Sequence, residues 1–266
     1  MISHDVCSRY TITGITAALP ILKEVLPITT PEWISHRGLC DAATENTAEA
    51  FRAALEAGFT HLETDLRITA DDHLVLAHDE DLSRIAGIPL NVTQASRAEL
   101  EQVRLLQGGR LLFFDEWLDE FGGYQWILDI KPEQGERTLA RLQAHWEGDA
   151  RALLSERARF LFWDAGQQRQ WLERRPEAVC MVPISACRRA GVACVAGLPS
   201  LAAIEPAGTY SLPPRLGGLR LLKPAVVERY QRRKGRVLAF LPETPQETEW
   251  SLEAGVDEIL TNHRPG

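Results

Sequence analysis

The sequence predicts an α/β protein folded as a TIM-type (β/α)8 barrel, with a small insertion after the second strand. Three observations carry that expectation. From residue 33 onward, eight short β-like runs alternate with helix-like ones, the rhythm of parallel strands joined by crossover helices. The length of 266 residues suits one closed barrel, which takes about 250. The composition is ordinary and globular, 45% hydrophobic and 25% charged, which excludes a disordered, collagenous or disulfide-scaffold chain.

The elements follow in order. The first strand is Trp33-Ile34-Ser35-His36. Asn46 then stands as a helix N-cap, with Glu49 three residues on in the capping-box position. Phe51, Ala54 and Leu55 space the apolar face of that helix, and Gly58 closes it. A second strand covers 60–66, and a further extended piece, 74–77, lies beyond a turn at Asp71-Asp72. Gly, Pro and Asn punctuate 79–113 around a short helical pattern near 97–106, so this stretch reads as an inserted excursion. A helix at 114–121 leads into a third strand at 124–131. Later strands are expected at 160–163, 179–184, 218–222, 236–241 and 257–260, and helices at 133–146, 167–175, 224–234 and 246–254. The Gly- and Pro-rich stretch 185–216 reads as a long loop with some helix.

Residues 1–32 read as an extension packed outside the barrel domain, which spans 33–266. Their apolar run, 14–22, is interrupted by Pro20, follows Asp5 as well as Arg9, and precedes Lys23 and Glu24. A secretory signal wants a basic start, an unbroken apolar stretch and a cleavage site, so that reading is disfavoured. No segment reaches the ~18 uncharged apolar residues of a membrane span.

Lys and Arg number 29 against 37 Asp and Glu, a formal charge of −8. An acidic chain without a basic run is not expected to bind nucleic acid. Cys7, Cys40, Cys180, Cys187 and Cys194 are scattered with no CxxC pair, which argues against a zinc knuckle and suits reduced thiols in the cytoplasm.

Function in a β/α barrel collects at the carboxyl ends of the strands. The first three strands end in His36-Arg37-Gly38, Glu63-Thr64-Asp65 and Asp129-Ile130-Lys131. Alternation puts Glu63 and Asp65 on one face, and Asp129 and Lys131 likewise, with apolar neighbours turned to the helices. Three converging carboxylates without cysteine suggest a hard divalent cation, Mg²⁺ or Ca²⁺. Arg37 and Lys131 would bind an anion held with it, and a phosphate fits best. Each residue taken singly also has a plainer reading. An ExD pair is common on strands, Lys131 can simply pair with Asp129 or Glu63, and His36 can be a hydrogen-bonded loop residue. His61 shares the parity of Glu63 but lies deeper, as a packed barrel histidine would. His4, His73 and His145 have no constellation around them, and His263 lies near a strand end.

The ordered conjunction says more. Ser35-His36-Arg37-Gly38 is followed by Glu45-Asn46-Thr47 with Ala50-Phe51 and Gly58, then by Glu63-Thr64-Asp65. Next come Thr69-Ala70-Asp71, Val75, His78-Asp79, Leu82, Arg84, Glu99-Leu100, the segment 116–118 and Leu128-Asp129-Ile130-Lys131. Gly255-Val256-Asp257 runs through Ile259 and Thr261 to Pro265. This set resembles the glycerophosphodiester phosphodiesterase family, closely over 33–131 and loosely over 236–265.

The resemblance implies a TIM-type barrel carrying 79–113 as the family insertion. It also implies metal-assisted hydrolysis of a small-molecule glycerophosphodiester to sn-glycerol 3-phosphate and an alcohol. Residue by residue, His36 and His78 would be the acid/base pair, Glu63, Asp65 and Asp129 the metal ligands, and Arg37 and Lys131 the phosphate contacts. Glu45 would sit at the mouth near His36.

Three positions depart from the family pattern. Asp129 stands where the family usually has Glu, Phe162-Trp163-Asp164 replaces a Ser-Phe-Asp-like run, and Ala239-Phe240-Leu241-Pro242 replaces a Trp-Thr-Val-Asn-like one. The last two alter the substrate wall more than the metal site. One alternative is a phospholipase D-like enzyme acting on lysophospholipid or sphingolipid headgroups, with Ile15, Leu19, Ile21 and Leu22 touching a membrane. Another is a non-catalytic phosphate-ligand or metal-binding protein, against which the intact His36 and His78 speak.

Overall fold

Eight parallel strands curl around a common axis in the computed structural model, which describes residues 30–41 and 43–265. In chain order the strands are β1 (Glu32–His36), β2 (His61–Ile68), β3 (Leu74–Leu76), β4 (Gln125–Ile130), β5 (Ala158–Phe162) and β6 (Val179–Cys180). They continue with β7 (Thr209–Leu212), β8 (Arg215–Leu216), β9 (Leu219–Arg220), β10 (Arg236–Phe240) and β11 (Glu258–Thr261). The ladder runs β6-β5-β4-β2-β1-β11-β10-β7, and β3 pairs antiparallel with β2. The two ends of the ladder meet where the Val182 N–H donates to the Thr209 carbonyl at 3.2 Å. This is the expected TIM-type barrel.

Strand alternation sorts the side chains into inner and outer sets. Leu62 and Leu66 of β2 and Trp126, Leu128 and Ile130 of β4 join the main core beneath the helices. Phe51 of the helix Ala48–Glu56 meets Trp117 of the helix Phe114–Phe121 edge-on at 4.3 Å, and Trp117 reaches Trp126 at 6.3 Å. Such pairs contribute about 0.5–1.5 kcal/mol each beyond their burial, and they fix the helices on which the site's loops depend.

Inside the barrel the layers differ in chemistry. At the floor, the fully buried Glu258 accepts from Arg159 Nη1 at 2.8 Å and from Arg236 Nε at 3.0 Å. His61 lies in this layer, 3.9 Å from Glu32, well below the mouth. Ile34, Ile127, Met181, Leu238 and Leu260 form an apolar plug above it. The polar ends of β1, β2 and β4 rest on that plug. Between β3 and the helix Phe114–Phe121, an excursion builds its own small core from Leu82, Ile85, Val92, Leu100, Leu105 and Leu111.

Four local expectations are corrected. The sixth barrel strand is β7, inside the stretch read as a loop, whereas 218–222 contributes only to the antiparallel hairpin β8–β9. β7 is four residues long and followed directly by Pro213-Pro214, too short to show alternation, and the leucines at 219, 221 and 222 imitate a strand. The run expected at 179–184 is extended only at Val179–Cys180, because the helix Ile184–Val195 starts there with Pro183 as its N-cap. The helical pattern near 97–106 is a single turn, Arg97–Leu100, capped by Ser96 and Glu99. The first helix is capped by Thr47, whose side chain accepts from the Ala50 N–H, and Asn46 has another task.

The apolar run 14–22, and the extension assigned to 1–32 up to residue 29, lie outside the described residues. Among the described residues, no helix is long and apolar enough to cross a membrane.

Candidate active site

β1 delivers His36 to the mouth and then turns sharply. Arg37 has φ 58° and Gly38 φ 86°, a left-handed pair in which Gly carries no steric cost. A Cβ on Gly38 would lie 2.6 Å from that of Ala50, so only glycine lets the helix Ala48–Glu56 pack on the turn. The turn aims Arg37 back across β2. Its N–H is shared between the Glu63 carbonyl at 3.0 Å and Glu63 Oε2 at 3.2 Å. Its guanidinium Nε lies 2.9 Å from Asp65 Oδ2.

The parallel register places His36 beside Glu63 and Asp65 beside Asp129. Glu63, Asp65 and Asp129 are all buried, and one oxygen from each lies within 4.8 Å of the others. Lys131 Nζ bridges Asp65 Oδ1 at 2.6 Å and Asp129 Oδ2 at 2.7 Å. Asn46, expected as a cap, instead donates from Nδ2 to Asp65 Oδ2 at 2.8 Å and accepts from the Thr64 hydroxyl at 2.7 Å. Asp129 Oδ1 accepts from the Trp163 indole at 2.8 Å.

The charges do not balance. Burial opposes ionisation of Asp65, but Lys131 and Arg37 prevail and hold it below the ordinary carboxylate range. Burial pushes Asp129 up to about 6, with Asp65 adding to the effect against the pull of Lys131. Burial, then Asp65 and Asp129, push Glu63 well above the usual range. Three carboxylates thus face two protein cations, and Glu63 and Asp129 are the two whose ionisation those cations do not offset. An all-oxygen donor set with unmet negative charge fits a hard divalent cation.

His36 is buried, and its Nδ1 lies 2.7 Å from Asn262 Oδ1, with Nε2 4.0 Å from Glu63 Oε2. Burial and the Arg37 charge push the imidazole down to about 4, partly opposed by the Asn262 bond. His78 sits across the mouth, its backbone carbonyl held by Arg67 Nε and Nη2 at 3.0 and 2.7 Å. Its Nδ1 lies 2.7 Å from Asp79 Oδ1. Arg84 ties the far side of Asp79 at 2.6 Å and grips both oxygens of Glu45, at 3.0 and 2.6 Å. Glu45 in turn lies 3.3 Å from Arg37 Nη1. A chain of charge therefore runs from His78 in the excursion to Asp65 in the barrel.

A cavity of about 150 Å³ opens over the plug. Its polar lining includes His36, Arg37, Glu63, His78, Asp129 and Lys131, and Leu161, Trp163, Phe240 and Leu241 are among its apolar and aromatic lining. Of the expected site residues these six reach the cavity, while Asp65 lies behind Lys131 and Glu45 joins the two arginines. Sequence reasoning missed the roles of Asn46, Asp79, Arg84, Trp163 and Asn262. Asn46 tolerates its φ of 58° as few residues do, the one local signal that it was not an ordinary cap.

The sequence pattern of the glycerophosphoryl diester phosphodiesterase family matches residues 36–264. The chain belongs to that family. Its members are phosphoric diester hydrolases. A human lysophospholipase D is 42% identical over 67 residues, 25% of this chain and 21% of that protein. The chain thus matches about a fifth of that relative's length. A probable glycerophosphodiester phosphodiesterase of Mycobacterium tuberculosis is 24% identical over 246 residues, 86% of either chain. The phosphodiesterase domain of another M. tuberculosis protein superposes with a TM-score of 0.75 at 13% identity, covering 89% of this chain and 97% of that one. The enzyme from Agrobacterium tumefaciens gives 0.69 at 19%, with 88% and 96% covered. These likenesses establish a shared fold.

Proposed function

We propose that the protein is a divalent-metal-dependent phosphodiesterase that hydrolyses a glycerophosphodiester to sn-glycerol 3-phosphate and an alcohol. Glu63, Asp65 and Asp129 are the metal ligands, Arg37 and Lys131 the phosphate contacts, and His36 and His78 the acid/base pair. The observation that carries the reading is three buried carboxylate oxygens within 4.8 Å of one another, beside two cations and two imidazoles at one cavity.

A bound Mg²⁺ or Ca²⁺ supplies Lewis-acid stabilisation of the charge that gathers on the nonbridging oxygens. The protein's own groups do the rest. Lys131 and Arg37 present fixed positive charge where the transition state becomes more negative. His36 donates its Nδ1–H to the Asn262 oxygen and so offers a free Nε2 for a proton. His78 donates its Nδ1–H to Asp79, which orients the ring and stabilises it when protonated. One imidazole takes the proton of the nucleophile, water or the substrate's glycerol hydroxyl, and the other protonates the departing alkoxide.

The test is a screen of divalent metals against a panel of glycerophosphodiesters, read as glycerol 3-phosphate release. No product with any metal would contradict the reading. A second reading, headgroup release from a lysophospholipid, is favoured by the stretch shared with the human lysophospholipase D. Choline release from lysophosphatidylcholine against glycerophosphocholine separates the two. Cys40, Cys180, Cys187 and Cys194 are free thiols, which supports a cytoplasmic setting.

A further inference from the structure

Trp163 follows β5 directly and stands at the cavity rim with 48% of its surface exposed. A ring so placed gains little from burial, and its N–H could bond to water. It is directed at a buried carboxylate instead. The indole Nε1–H donates to Asp129 Oδ1 at 2.8 Å, while Lys131 Nζ holds Oδ2 at 2.7 Å. A carboxylate's terminal torsion is normally broad; with a donor on each oxygen, that of Asp129 is pinned. The ring also lies 5.9 Å from Lys131 Nζ, within reach of a cation–π contact. One side chain therefore steadies both members of the Asp129–Lys131 pair.

We propose that Trp163 is a positioning residue that aims the Asp129 carboxylate at the bound cation. The inference rests on the metal reading above. An Asp side chain reaches only one methylene from the strand, so a rotated carboxylate has little slack with which to recover its place beside Glu63 and Asp65. Partners that orient a metal ligand commonly account for about 10–100-fold in affinity.

Trp163→Phe keeps an aromatic six-membered ring at this half-exposed position and removes the indole N–H together with the pyrrole ring that carries it. Mg²⁺ and Ca²⁺ are titrated by calorimetry into the parent and this variant. The Trp163 indole ¹⁵N–¹H signal, identified by its loss in the variant, is followed in the parent as metal is added. The expected result is a Kd raised about tenfold or more in Trp163→Phe, and an indole signal that shifts on metal addition. Parent-like affinity in the variant overturns the inference. Should the variant melt early, the parent decides alone, and an indole signal that metal does not move overturns it equally. A parent that binds neither ion refutes the metal reading itself, an outcome visible before any variant is made.

Discussion

Asp65 and Asp129 are direct register partners across the β2–β4 ladder, and Lys131 Nζ bridges them at 2.6 and 2.7 Å. Two carboxylates set side by side in a barrel interior repel, and the desolvation of each adds to the difficulty. The ammonium makes the arrangement tenable, and Glu63 shows that it does not satisfy it completely.

Removing that ammonium should therefore destabilise the fold. Breaking a buried ion pair on one side typically costs about 3–5 kcal/mol. In a domain of this size, Lys131→Met should lower Tm by roughly 10 °C. Excess divalent metal should recover part of that loss, more than it raises the parent. Thermal melts with and without Mg²⁺ or Ca²⁺ check this, and an unchanged Tm would contradict it.

The proposed mechanism gives the two imidazoles the proton transfers and no metal ligation. His36→Ala and His78→Ala should each lower turnover by about two to four decades. Metal affinity and Tm should barely change. Turnover near the parent's in either variant removes that histidine from the mechanism.

Arg84 links the excursion to the barrel through Asp79 and Glu45. It is half-exposed, so its ion pairs contribute little to stability, about 0–1 kcal/mol each. Its value lies in holding His78 in place. Arg84→Ala should lower kcat by about tenfold to a hundredfold with parent-like Tm and metal affinity. A large loss of Tm with unchanged kcat in the surviving protein would assign Arg84 a structural role only.

Asn46 and Thr47 are adjacent, and both are good cap residues. The structure divides the work between them. Thr47→Ala should cost about 0.5–2 kcal/mol by removing the cap, with little change at the mouth. Asn46→Ala leaves Asp65 and the Thr64 hydroxyl each short of a buried partner, about 1–3 kcal/mol, and should also weaken metal binding. Denaturant melts and a metal titration on the two variants distinguish these outcomes.

That pair also shows how far the sequence could be read. The alternation of charged with apolar or small residues in β2, and the Asp129-Ile130-Lys131 ending of β4, were legible in the sequence, and the structure brings Glu63, Asp65 and Asp129 together. Choosing between Asn46 and Thr47 as cap required knowing that Asp65 lies beneath, a tertiary fact. β7 was illegible because four residues before two prolines offer no period. The partners of His36 and Asp129 are Asn262, 226 positions away, and Trp163, 34 positions away. Pairing of β11 with β1 and of β5 with β4 brings them to the site, and no local pattern announces them.

In the proposed function, the three-carboxylate cluster holds a cation that the reaction requires. That requirement is tested most directly by assaying glycerol 3-phosphate release after exhaustive chelation, with metal absence verified by elemental analysis, and again after Mg²⁺ or Ca²⁺ is restored. Loss of activity followed by recovery is the expected result. Full activity in verified metal-free protein would contradict it.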